Sequence, residues 1–300
     1  MAGATATGES SCLRVAVAVA SLPAAMVAAW ASPPTPPARS GFIQDSSFEG
    51  FFSDAEQAVR TAALENPTLP VYVLAHSMGG LIAAHMGIRL ATKAAAGSAD
   101  TAGWVSRLRG FVLSSPAVAV DPAVATPAAV CAARLFGGCL PRLIMARVSA
   151  ADLSNNLDIN QQAACDAGMQ DAICGRLAIA GIDATAEVER IASGFTWPLL
   201  VLQDSDDRTT VPEAGEKFVA AASSSDKEAV MLSGHKHELL LADGYVELIQ
   251  GRIVPWMNAR LGAAEAEAGA AAGLEAGDHH SAEDVTVAAQ EAADAEMALV

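Results

Sequence analysis

An α/β fold, with a mostly parallel sheet flanked by helices, is predicted by three observations. Short apolar runs at Val71–Leu74, Phe111–Ser114 and Leu199–Leu202 suit strands buried on both faces. The runs at 71–74 and 199–202, and a further run at 229–232, each lead into a loop with a chemically active side chain. These are Ser77, the acids Asp204, Asp206 and Asp207, and the histidines His235 and His237. Such groups collect at the carboxyl ends of parallel strands. Finally, Ser77, Asp207 and His237 follow one another at separations of 130 and 30 residues. The long interval has room for an insertion, and the short one fits a single helix between two strands.

From the N-terminus, residues 13–31 are apolar apart from Arg14 and precede the Pro-rich stretch Ser32–Ala38. Two readings stand. The ending Ala29-Trp30-Ala31 suits a signal-peptidase site, and Val15–Ala20 fits a strand of the sheet. Pro23 and the alanine content weigh against a membrane span. Residues 1–40 are therefore set apart from a domain at 41–262. Within that domain Ser46-x-x-Glu49 resembles a capping box. Phe48, Phe52, Ala55, Val59 and Ala62 fall on one face of a helix that ends before Pro67.

The segment Leu69-Pro-Val-Tyr-Val-Leu-Ala-His-Ser-Met-Gly-Gly-Leu81 reads as strand, sharp turn and helix start. This is a nucleophile elbow, with Ala75 at the first position of the usual Gly-x-Ser-x-Gly. The turn should strain the backbone at Ser77, so small residues are needed on either side. The helix that follows aims its first N–H groups at the site, and the Met78 N–H is an oxyanion donor by position. A serine hydroxyl needs a base and an orienting acid to become a nucleophile. Asp207 and His237 are the candidates. Asp204 and Asp206 read as acids that keep the loop solvated, His235 as an exposed loop residue. His76 reads as shaping the turn, and His85 as a packing or surface residue. His235 and His237 lack a Cys or carboxylate cluster at ligand spacing, so neither a metal nor a cofactor is expected.

Four segments together carry a resemblance: Glu65–Gly80, Arg109–Pro116, Asp206-Asp207-Arg208 and Ser224–His237. In this order they resemble the monoacylglycerol lipases and related lysophospholipases, serine hydrolases of the α/β-hydrolase fold. The resemblance spans roughly 41–261. It implies Ser77 as nucleophile, Asp207 as acid and His237 as base. It implies a helical lid at about 121–193 that covers an acyl-chain channel and meets the membrane, with a lipid ester as substrate. Leu135, Phe136, Leu140, Leu143, Ile144 and Met145 are the apolar part of that lid. They either face lipid or pack lid helices onto the core. The family also has strands ahead of the first helix and a His-Gly loop that gives a second oxyanion N–H. No histidine precedes His76, so the fold is expected to be N-terminally incomplete.

The net charge of −16 disfavours a nucleic-acid partner. Nine of those charges lie in 263–300, an Ala/Glu-rich tail without Lys or Arg that reads as disordered. Five cysteines without metal spacing read as free thiols in a reducing compartment. A cytoplasmic or peripheral-membrane location follows, or a secretory one if 1–31 is a signal peptide. The alternatives to a lipid esterase are a peptidase or small-ester hydrolase on the same fold, and an inactive scaffold.

Overall fold

The computed structural model describes residues 16–19, 47–140, 142–165, 171–240 and 245–261. The candidate cleavage site, Ser46 and the acidic tail lie outside the described residues. Five parallel strands form the main sheet: β1 (Ala16–Val19), β2 (Val71–His76), β3 (Leu108–Ser114), β6 (Leu199–Asp204) and β7 (Lys227–Leu232). Their spatial order is β1-β2-β3-β6-β7. Strand β1 lies within the apolar N-terminal stretch and pairs with β2.

The buried strands sort their side chains with a period of two. Val71, Val73 and Ala75 of β2, Phe111 and Leu113 of β3, and Leu199 and Val201 of β6 enter one core. Tyr72, Val112, Leu200 and Leu202 enter the other. Both faces of these strands are covered, which explains why the sequence shows apolar runs and no alternation with polar residues.

On the first face lie α1 (Glu49–Glu65), α2 (Met78–Ala95), α5 (Gly175–Ile191) and α6 (Ala214–Ala221). Helix α1 buries Phe51, Phe52, Ala55, Val59 and Ala63. The helix begins at Glu49 after Phe48, which makes no side-chain cap; the capping box read at Ser46 lies outside the described residues. Phe48 is buried against Phe51 and Phe52 and fixes the entry of the chain. The Glu49 carboxylate is drawn across to α2, where Arg89 holds it with two hydrogen bonds of 2.5 and 2.6 Å. His85 is a packing residue: it stacks on Phe52, and its Nε2 lies 2.9 Å from the Ala184 carbonyl.

The stretch 121–193 is more varied than a helical lid. It holds α3 (Pro127–Cys139), α4 (Leu157–Cys165) and α5, and also an antiparallel pair, β4 (Ile144–Arg147) with β5 (Ala172–Cys174). Helix α5 is part of the main core through Ala180, Ala184 and Val188. Helix α3 rests on α5, with Arg134 paired to Asp183. Beyond β7 a π-helical segment, Tyr245–Ile253, runs into α7 (Val254–Asn258) on the second face. Trp256 packs edge-on to Tyr72, whose hydroxyl donates to the Met257 carbonyl at 2.7 Å. No helix among the described residues is long and apolar enough to cross a membrane.

Close approach decides one glycine. A Cβ on Gly80 would sit 2.7 Å from Pro116 Cβ and 2.9 Å from its Cα, so backbone has to move to admit it. Gly80→Ala is expected to destabilise the fold by about 1–3 kcal/mol through overpacking. Urea unfolding of the two proteins measures this, and an unchanged midpoint would refute the close contact.

Candidate active site

Strand β2 ends directly in the turn that carries Ser77, whose φ is 52° and ψ −120°. A serine at positive φ is uncommon and costs of order 1–3 kcal/mol unless its surroundings fix it. They do so by hydrogen bonds. The Ser77 N–H donates to the Ser114 carbonyl at 3.0 Å, and its own carbonyl accepts from Gly80 at 3.0 Å and Ala117 at 2.9 Å. The backbone of β2 and that of the β3 exit are thereby locked together. Met78 opens α2, so its N–H has no acceptor within the helix.

The second component comes from the β6 exit. Asp207 is buried, and both its oxygens are occupied. Oδ1 accepts from the N–H groups of Thr209 (2.7 Å) and Thr210 (3.0 Å). Oδ2 accepts from Thr210 Oγ1 (2.6 Å) and Gln203 Nε2 (3.1 Å), and lies 2.9 Å from His237 Nδ1. Burial works against its charge, but the contacts with His237 and Thr210 outweigh it and hold the carboxyl below the ordinary aspartate value.

The third component is the loop after β7. His237 is buried, with Nδ1 against Asp207 and Nε2 3.0 Å from Ser77 Oγ. Facing a carboxylate, Nδ1 carries the ring proton, so Nε2 is left as an acceptor for the serine hydroxyl. Its main chain is held at both ends. The carbonyl accepts from Ser115 Oγ at 2.7 Å, and the N–H donates to the Leu153 carbonyl at 3.0 Å. Leu153 also accepts from the Glu238 N–H at 2.8 Å. Lys236, at φ 63°, reaches the Ala151 carbonyl at 2.8 Å. Asn155 Nδ2 donates to the Gly234 carbonyl at 2.6 Å. A short piece of the insertion thus braces the histidine loop.

Three neighbours differ from their sequence reading. Asp204 is not a solvated loop acid: it is fully buried at the end of β6, where it accepts from the N–H groups of Asp206 (2.7 Å) and His235 (2.9 Å). His235 is half-buried beside it, with Nδ1 3.4 Å away. Backbone donors from two loops converge on Asp204, which only the parallel pairing of β6 with β7 brings about. His76 does more than shape the turn. Its Nε2 lies 3.3 Å from Glu238 Oε1 and its ring 4.7 Å from that of His237. Sequence reasoning missed Glu238, Ser115 and Thr210. Only Thr210, three residues after an aspartate, had a local signal, that of a side chain closing a turn.

In the insertion, Leu135, Leu140, Leu143, Ile144 and Met145 are all exposed. Phe136 lies on α3, its side chain outside the described residues.

Because the folded pKa of Asp207 is depressed, its charge contributes stability that is full above the unfolded value of about 3.9 and is lost as pH falls through the folded one. Asp207→Asn removes that dependence. Stability measured from pH 6 down to 2 should fall less steeply in the variant below about pH 4. Parallel curves would refute the charge-holding role of these contacts.

The family model described as serine aminopeptidase, S33 matches residues 38–243. The monoglyceride lipase of Mus musculus is 30% identical over 199 residues, covering 65% of this chain and 60% of the mouse protein. That of Homo sapiens is 32% identical over 199 residues, with the same coverage of 65% and 60%. The chain thus spans about 60% of the length of these curated relatives. The crystal structure of Paleococcus ferrophilus monoacylglycerol lipase superposes with a TM-score of 0.57 at 22% identity, over 70% of this chain and 76% of that one. The fold is that of the α/β-hydrolases, and the chain belongs to the serine aminopeptidase S33 family.

Proposed function

We propose that this protein is a serine hydrolase of lipid esters, of the monoacylglycerol lipase or lysophospholipase type. The observation that carries the reading is the continuous chain Ser77 Oγ–His237 Nε2 at 3.0 Å and His237 Nδ1–Asp207 at 2.9 Å. The names of the mammalian relatives supply the substrate class.

The reaction is two-step acyl transfer. Ser77 Oγ attacks the ester carbonyl while its proton passes to His237 Nε2, and the Met78 N–H binds the developing oxyanion. Asp207 keeps the imidazole in the required tautomer and stabilises the imidazolium. The imidazolium then protonates the departing alcohol, leaving an acyl ester on Ser77. Water, deprotonated by His237, attacks this ester, and the fatty acid leaves as Ser77 regains its proton. The exposed Leu135, Leu140, Leu143 and Ile144, with Phe136, form the lipid-facing part of the insertion in this reading, where the acyl chain or a membrane surface meets the protein.

Ser77→Ala and His237→Ala should each lower hydrolysis of a monoacylglycerol by about 10⁴-fold or more. A fluorophosphonate probe should label Ser77 in the wild type alone, and a folded wild type left unlabelled would sink the enzyme reading. A series of glycerol esters tests the substrate class. Burial of each methylene, worth about 0.8 kcal/mol, should raise kcat/KM by up to about fourfold until the acyl site is full. A preference for acetate, or cleavage of aminoacyl amides in place of esters, would move the assignment to a small-ester hydrolase or a peptidase.

A further inference from the structure

Beside the Ser77–His237–Asp207 chain lie two ligating side chains that the hydrolytic reaction does not use. His76 comes from the end of β2, Glu238 from the loop after β7. Among the described residues, one ligand atom each from His76, Glu238 and His237 converge within 4.8 Å of one another. His76 Nε2 and Glu238 Oε1 are 3.3 Å apart. Two ligands at about 2.0–2.1 Å from a tetrahedral ion stand roughly 3.3 Å apart. This pair is therefore already at the spacing of two adjacent ligands.

We propose that His76, Glu238 and His237 form a binding site for a late first-row divalent cation, Zn²⁺ above all, and that the bound ion inhibits hydrolysis by taking His237 away from Ser77. Two imidazoles and a carboxylate are a donor set that suits Zn²⁺ and leaves a fourth position for water. Access is open at two of the three ligands: the side chains of His76 and Glu238 are 18% and 22% exposed, that of His237 3%. Outer contacts steady both ligands. His76 Nδ1 lies 3.4 Å from Ser114 Oγ, and the Glu238 N–H is fixed on Leu153. The histidine pair considered from sequence, His235 with His237, is not the one assembled, since His235 faces Asp204. The converging partner is His76, the last residue of β2.

The binding stands on the cluster alone, while the inhibition rests on the hydrolase reading. ZnCl₂ is titrated calorimetrically into the full chain and into its Glu238→Gln and His76→Asn variants. All three carry Cys131→Ser and Cys165→Ser to remove exposed thiols. The parent should bind one more Zn²⁺ per chain than either variant, or bind it about tenfold or more tightly. In the same samples Zn²⁺ should slow fluorophosphonate labelling of Ser77 in the parent, EDTA should restore it, and the variants should not respond. Equal stoichiometry and affinity in all three proteins would overturn the site. A folded parent that is never labelled, even without Zn²⁺, would overturn the hydrolase reading and leave the calorimetry to decide the site. Circular dichroism verifies folding, and if His76→Asn fails to fold, Glu238→Gln decides.

Discussion

The positive φ of Ser77 is the constraint on which the site rests. A strand cannot turn into a helix within one residue unless that residue leaves the β region, and nothing in serine favours doing so. The conformation survives because its amide and carbonyl are both committed to the β3 exit and the first turn of α2. Those bonds require α2 to lie close to Pro116, and that distance admits no side chain at Gly80. The glycine that looks like part of a motif is thus one end of a packing contact, and the motif is what remains visible of it in sequence.

Charge is handled in the same distributed way. Three carboxylates, Asp204, Asp207 and Glu238, lie within one small region of a protein that is strongly acidic overall. Each is matched by a partner from an element distant in sequence: Asp204 by the His235 backbone, Asp207 by His237, Glu238 by His76. Buried carboxylates without such partners would protonate. Because the donors sit at the exits of neighbouring strands, correct register in the sheet is also correct charge pairing. A one-residue slip of β7 against β6 would turn its side chains to the opposite faces.

What could be read from the sequence follows from this. Ser77, Asp207 and His237 were legible because each ends an apolar run and the spacing between them is informative. The β-strands were legible because two covered faces leave an unbroken apolar record. Asp204 was not, because a buried aspartate and a solvated one look alike until the N–H of His235 is placed beside it. The His76–Glu238 pair joins opposite ends of the domain and leaves no local pattern. Ile144 and Met145 were read as apolar residues of the lid; the strand that holds them depends on partners in Ala172–Cys174.

The carbonyl of Leu153 accepts from both His237 and Glu238. It belongs to the insertion, the part of such a chain that a protein engineer would exchange first to alter substrate range. A graft that keeps the sheet, the elbow and both loops intact, yet ends this segment differently, removes the acceptor for the consecutive amides of His237 and Glu238. Chimeras cut at the edges of the insertion would alter its exposed surface and the placement of His237 together. A transplant that separates the two has to carry the strap around Leu153 with the recipient domain.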